Sequence, residues 1–170
     1  MKCELCNGET IIKSEQTYHY VESGLDNVYL ENIEVRVCQS CDAVAPRIPR
    51  IQDLHATIGQ ALTAQTYPLT GAEACFLRKE LGMKSKDWAA YLHIDVTTLA
   101  LWESGDQGIG LQADLLMRLL YLNLSAAQRG RALPTGSVEQ LAAVVTQRTE
   151  GRSLFINPWQ PPQYAYRAAA

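Results

Sequence analysis

Two pairs of cysteines carry the clearest chemistry in this chain. Cys3-Glu4-Leu5-Cys6 and Cys38-Gln39-Ser40-Cys41 each set two thiols three positions apart. A tight turn of that spacing lets two sulfurs bite one ion, while backbone amides of the turn hydrogen-bond the thiolates. Two such pairs supply four thiolates, the ligand set of a closed, tetrahedral structural zinc site. One Zn2+ per chain is therefore expected, held by Cys3, Cys6, Cys38 and Cys41. A thioredoxin-type redox pair is the rival reading. It would want one CxxC beside a βαβ pattern and a low-pKa cysteine, and neither the doubling nor the flanks fit. His19 and His55 are spare nitrogen ligands, but four cysteines already fill a tetrahedron. They read instead as a sheet-surface residue and a linker-helix residue. Cys75 reads as a small buried hydrophobe within a helix.

The elements that must position these residues follow from pattern. Thr10–Val21 carries Tyr18, Tyr20 and Val21 among polar neighbours, and turn residues fill Ser23–Asn27. Val28–Val37 then sets Val28/Leu30 and Ile33/Val35/Val37 at period two and runs into the second cysteine pair. Residues 1–50 are thus β-rich, and a core this small needs a staple. Without zinc this part is expected to fold poorly. Pro46 and Pro49 punctuate its exit. Leu54, Ile58 and Leu62 mark one face of a helix over 52–66, which Tyr67-Pro68 ends.

From Leu69 the texture becomes short helices. Thr70 with Glu73 forms a capping box that starts a helix at Gly71. Ser85 to Leu92 forms a second helix, and His93-Ile94-Asp95 a connecting turn. Asp95 caps a third helix, Val96–Glu103, which Gly105 stops. Gln112–Leu122 is a fourth, with Leu115, Leu116, Leu119 and Leu120 facing a core. Ser137–Thr149, capped by Ser137, is a fifth. Residues 151–170 hold Trp159, Tyr164 and Tyr166 without a period, and read as an extended or mobile tail.

Composition bounds the rest. The 170 residues are 47% hydrophobic and 19% charged, which suits one ordinary domain or two small ones. No apolar run reaches the roughly 20 residues of a membrane span, and the N-terminus reads as neither a signal peptide nor a transit sequence. A cytoplasmic protein is expected, and in that compartment paired cysteines more often bind metal than each other. Net charge is −3 and unevenly shared: residues 1–66 hold five basic and nine acidic side chains, residues 67–170 ten and nine. The zinc-binding part is thus no general binder of nucleic acid. No Gly-rich phosphate loop, GxSxG or HExxH marks an enzyme.

The run Leu81–Gly105 resembles the lambda-repressor/Cro-like (XRE) helix–turn–helix family. The matching residues are Ala89 inside the second helix, Ile94 in the turn, then Leu99, Trp102, Glu103 and Gly105. The resemblance covers about residues 69–122. Together with the two cysteine pairs, it resembles the MqsA-like (YgiT-type) antitoxin/regulator family. That resemblance implies an α+β fold in four parts. They are a small β-rich zinc-binding N-terminal domain (1–50), a linker helix (51–68), an all-α five-helix lambda-repressor-like helix–turn–helix domain (69–150) and an aromatic C-terminal tail (151–170). The tail lies beyond the family pattern. It also implies a DNA-binding transcriptional regulator and antitoxin that represses its own operon. Its N-terminal domain would bind a toxin protein, and its C-terminal domain would form a homodimer on double-stranded operator DNA. The DNA-contacting positions would be Lys84, Ser85, Lys86, Val96, Thr97, Thr98, Leu101 and Gln107. The sequence departs from the family at the start of the recognition helix. Val96, Thr97, Ala100 and Leu101 stand there without the Arg, Asn or Gln that read guanine and adenine. Thr97, Thr98 and Ser85 can hydrogen-bond, and Val96 or Leu101 could meet thymine methyls. The alternative is a protein–protein interaction module whose helix–turn–helix serves mainly for dimerisation.

Overall fold

The computed structural model describes residues 2–132, 153–158 and 165–168. The fold is α+β, with strands around the cysteines followed by five helices. The order is β1 (Thr10–His19), β2 (Val28–Cys38), β3 (Val44–Arg47), α1 (Ile51–Ala64), α2 (Gly71–Glu80), α3 (Ser85–Leu92), α4 (Val96–Ser104), α5 (Leu111–Gln128), β4 (Leu154–Asn157) and β5 (Ala165–Ala168). The fifth helix expected over Ser137–Thr149, and Trp159 and Tyr164 of the tail, lie outside the described residues. Those described form two compact units. One comprises 2–22, 26–54, 153–158 and 165–168, the other 23–25 and 55–132.

β2 is the spine of the strand unit. β1 runs antiparallel along one edge. The other edge is shared, with β3 pairing antiparallel at Glu34–Val37 and β4 parallel at Val28–Leu30. The period-two pattern of β2 breaks between Leu30 and Ile33, and two offsetting bulges explain how. Lys13 faces Val35, Gln16 faces Ile33 and Tyr18 faces Leu30. One residue is gained on β1 near Glu15 and one on β2 near Asn32, and both take left-handed φ, 55° and 54°. Asn tolerates that region better than most side chains. The bulge lets Val28, Leu30, Ile33 and Val35 all bury on one face although Leu30 and Ile33 are three apart.

Residues 154–157 of the tail form strand β4 and pack on the chain's own sheet. Leu154 and Ile156 are buried, and Leu154 N–H donates to the Asn27 carbonyl at 2.7 Å. Across the ladder His19 stacks on Tyr29 (ring centroids 4.7 Å) and Tyr29 on Phe155 (5.2 Å). Cross-strand aromatic pairs of this kind stabilise a sheet by roughly 0.2–1 kcal/mol each.

In the helical unit the capping box forms as the sequence predicts. Thr70 Oγ1 accepts from Glu73 N–H, and Glu73 accepts from Thr70 N–H at 2.7 Å. Asp95 occupies the N-cap position of α4, but its side chain makes no capping bond. Gly105 ends α4 with φ 84°, a conformation that suits glycine. Arg78 ties α2 to α4, its Nε and Nη2 bonding Glu103 at 2.7 and 2.8 Å while Nη1 donates to the Met83 carbonyl.

The buried face of α5 differs from expectation. Leu115, Leu116, Leu119 and Leu120 are not the core stripe, for Leu116 and Leu119 are 37% and 40% exposed. The inward face is Asp114, Met117, Arg118, Tyr121, Leu122 and Ser125. Arg118 is fully buried because the C-terminus of α1 has carbonyls without helical partners. It donates to the carbonyls of Leu62, Thr63, Gln65 and Tyr67 and pairs with Asp114, which accepts from Leu69 N–H. A polar need thus rotates α5 away from its most apolar stripe.

Gly59 lies where α1 meets the buried ring of Tyr121. A Cβ there would sit 2.0 Å from the Tyr121 hydroxyl. Gly59→Ala gains about 1 kcal/mol in helix propensity, but overpacking a core typically costs about 1–3 kcal/mol, and Tyr121 is fully buried. Urea unfolding of this variant is expected to show a net loss of stability of about 1 kcal/mol.

Candidate metal centre and the exposed face of helix α4

The antiparallel β1–β2 pair brings the cysteine turns together. Thr10 at the start of β1 faces Cys38 at the end of β2, so the residues before Thr10 and after Cys38 meet at one end of the sheet. Each turn is closed by its own backbone. In the first, Asn7 N–H donates to the Cys3 carbonyl and Cys3 N–H to the Gly8 carbonyl, both at 2.9 Å. In the second, Cys38 N–H donates to the Ala43 carbonyl at 2.9 Å. A residue with left-handed φ follows the second cysteine of each, Asn7 at 57° and Asp42 at 54°. Gly8 permits the close approach, since a Cβ there would lie 2.5 Å from Ser40 Oγ and 3.2 Å from Cys38 Sγ.

The four sulfurs lie within 4.8 Å of one another. Cys3 and Cys41 are 3.8 Å apart, Cys6 and Cys38 3.4 Å. A tetrahedron with metal–sulfur bonds of about 2.3 Å has edges of about 3.8 Å. The cluster therefore has the dimensions of a four-thiolate metal site. Gly8 N–H points at Cys6 Sγ and Ser40 N–H at Cys38 Sγ, each 3.4 Å away. These are the amide-to-sulfur bonds that stabilise ligated thiolates.

The four sulfurs push one another's ionisation apart. The Ser40 amide helps hold the Cys38 thiol down at about 6. The Ala43 amide favours the Cys41 thiolate, but the neighbouring Cys6, Cys38 and Cys3 sulfurs outweigh it and push that thiol up to about 12. Four thiolates so close repel one another unless a metal ion sits among them, and its binding must release protons. Cys3 and Cys38 are buried while Cys6 and Cys41 are exposed, so the site is closed on its sheet side and open to solvent on the other.

The remaining candidate ligands lie elsewhere. His19 is engaged in its stack and with the Asp26 carbonyl at 2.8 Å. His55 packs edge-on to Phe76, and burial lowers its pKa. Cys75 is half-buried rather than buried, and Arg78 Nη2 donates to its sulfur at 3.7 Å.

The other sequence-predicted residues gather on α3 and α4. His93 turns the chain with φ 53°, Ile94 N–H donates to the Ala89 carbonyl, and Leu99 and Trp102 bury beneath α4. Val96, Thr97, Ala100 and Leu101 all face solvent, and Thr98 is half-buried. Lys84 and Lys86 are exposed around the start of α3, with Ser85 half-buried between them. Gln107 is exposed beyond α4, its N–H donating to the Leu101 carbonyl at 3.0 Å. Sequence reasoning missed the Arg78–Glu103 and Arg118–Asp114 links. Arg78–Glu103 joins two helices and has no local pattern, whereas Asp114 and Arg118 stand at the i,i+4 spacing of a helical ion pair, a signal that does not tell that both are buried. No known protein family, curated protein or solved structure matches this chain.

Proposed function

We propose that this chain is a zinc-stabilised DNA-binding regulator, and specifically the antitoxin of a toxin–antitoxin pair that represses its own operon. The observation that carries it is the succession of a four-cysteine cluster and then α3, a three-residue turn and α4. Over α4, Leu99 and Trp102 point inward and Val96, Thr97, Ala100 and Leu101 outward. In this helix–turn–helix reading α4 enters the major groove and Lys84 and Lys86 meet phosphate. The helical unit pairs with a second copy and the zinc-bearing strand unit binds a toxin. The chain acts in the cytoplasm without catalysis. Among the described residues no helix is long and apolar enough to cross a membrane.

Footprinting the zinc-loaded chain on the DNA upstream of its own reading frame tests this. Protection of a palindrome with half-sites about 10 base pairs apart is expected. Absence of any shift at low salt, where phosphate contacts are strongest, defeats it.

A second reading draws on a different observation. Tyr91, Val96 and Leu101 are 50%, 45% and 40% exposed on α3 and α4, large apolar side chains suited to a protein partner. Reversing charge with Lys84→Glu and Lys86→Glu separates the two. It removes DNA binding under the first reading and spares an apolar protein contact under the second.

A further inference from the structure

We propose that Asn7-Gly8 is a deamidation site, held inert by the metal-bound cysteine turn and released when the metal leaves. This rests on the metal reading of the four cysteines and adds a chemical consequence of losing the ion. Among the asparagines of the chain only Asn7 is followed by glycine. Val28, Ile33, Leu124 and Pro158 follow the others. Glycine has no side chain to shield its nitrogen, so this is the asparagine most open to attack by its own backbone.

The reaction needs no reagent but water. The Gly8 amide nitrogen attacks Asn7 Cγ, and a bond forms between them. The Cγ–Nδ2 bond breaks, and Nδ2 leaves as ammonia, taking the proton from the Gly8 nitrogen. One water then opens the five-membered imide. Opening at Cγ leaves aspartate. Opening at the main-chain carbonyl carbon leaves isoaspartate, in which the chain runs through the side chain and gains one methylene.

Ring closure needs the Gly8 nitrogen beside the Asn7 side chain, and the folded turn keeps them apart. Asn7 has a left-handed φ of 57°. With the ψ of about +47° that belongs to this region, the Gly8 nitrogen lies nearly trans to Asn7 Cβ, the arrangement furthest from a ring. Hydrogen bonds hold it there. Asn7 N–H donates to the Cys3 carbonyl and Cys3 N–H to the Gly8 carbonyl, both at 2.9 Å. Gly8 N–H points at Cys6 Sγ, 3.4 Å away, so the attacking nitrogen is itself engaged with a metal ligand. Burial gives no protection, because Asn7 is exposed. Conformation does, and it depends on the sulfurs being gathered around an ion.

The second turn supplies the contrast. Asp42 holds the matching place with φ 54° and is followed by Ala43. Its carboxylate has no ammonia to lose, and the Ala43 methyl crowds the nitrogen. Isoaspartate at the Asn7 position would lengthen the main chain between Cys6 and Gly8 and displace the bonds that close the first turn. A chain that regains zinc promptly therefore rebuilds its site, and one left without it does not.

Peptide mapping by mass spectrometry on the full chain tests this. The zinc-loaded chain, its metal content measured, would be incubated in mildly alkaline buffer beside the chelated chain and the urea-unfolded chain. The chelated chain is expected to lose the Asn7 amide about as fast as the unfolded one. The loaded chain should lose it at least about tenfold more slowly, the factor for an opening cost of about 1.4 kcal/mol. Zinc returned to the aged chelated chain should fill only the fraction of chains free of isoaspartate. Asn7→Gln, which would need a six-membered ring, should regain zinc fully after the same wait. If that variant fails to fold, the rates in the parent chain still decide. Equal rates in loaded and chelated chains, with zinc shown to be bound, overturn the protection and leave the metal site standing. A chain that takes up no zinc overturns both.

Discussion

Stripping zinc is expected to unfold the strand unit while the helical unit stays folded. β1 is exposed along most of its length, so it contributes little apolar burial to hold its pairing with β2. The end of that pair where the cysteines converge is closed by two short turns whose sulfurs repel one another in the absence of an ion. Structural zinc contributes an apparent 10–16 kcal/mol in small zinc-dependent folds, while a whole domain is stable by only about 5–15 kcal/mol. Hydrogen exchange before and after chelation would read the two units separately. Amides of β2 should lose protection and those of α2 to α5 keep it, with close to one zinc released per chain. Cys38→Ser should do the same without chelator, since Cys38 is both buried and the end of the central strand. Persistent protection of β2 after complete zinc loss would show that the sheet stands without its staple. Retained folding in Cys3→Ser with loss of thiol exchange would instead revive the redox reading.

How much of this was legible in the chain depends on the range of the interactions. The cysteine cluster was readable because its logic is local, two thiols per turn with a strand leading from one turn and a strand leading into the other. The capping box at Thr70 and the stop at Gly105 were readable for the same reason. The bulges at Glu15 and Asn32 were not. Period two had to be interrupted for Leu30 and Ile33 to bury together, and only the opposing strand tells where. β4 was hidden because a parallel partner arrives more than a hundred residues later, carrying a four-residue strand too short for its own period to be visible. The face of α5 was misread for a chemical reason. Four leucines outvoted Asp114 and Arg118 in any reading by hydrophobicity, yet the carbonyls at the end of α1 needed a donor more than the core needed another leucine. DNA contacts depend on an object outside the chain, and for them the sequence offers residue types and the fold offers only exposure.

Arg118→Met is expected to destabilise the helical unit by about 3–5 kcal/mol, the usual result of leaving one partner of a buried ion pair uncompensated. Both side chains are fully buried. Two mechanisms could produce that loss, and they differ in what rescues it. If the ion pair alone matters, removing Asp114 as well should restore stability, because buried pairs replaced by apolar residues of similar volume are often neutral. The geometry argues otherwise. Arg118 Nη1 reaches the Gln65 carbonyl at 2.6 Å and Nη2 the Tyr67 carbonyl at 2.7 Å, with Leu62 and Thr63 within 3.3 Å. Asp114 Oδ2 accepts from Leu69 N–H just ahead of α2. These backbone groups persist in any double variant, and each one left unsatisfied costs about 1–3 kcal/mol. Asp114→Leu/Arg118→Met should therefore remain several kcal/mol below the parent in chemical unfolding. The coupling energy between the two positions should account for only part of either single loss. A double variant as stable as the parent would show that the carbonyls of 62–67 find water or new partners. The turn between α1 and α2 would then be held by packing rather than by this one guanidinium.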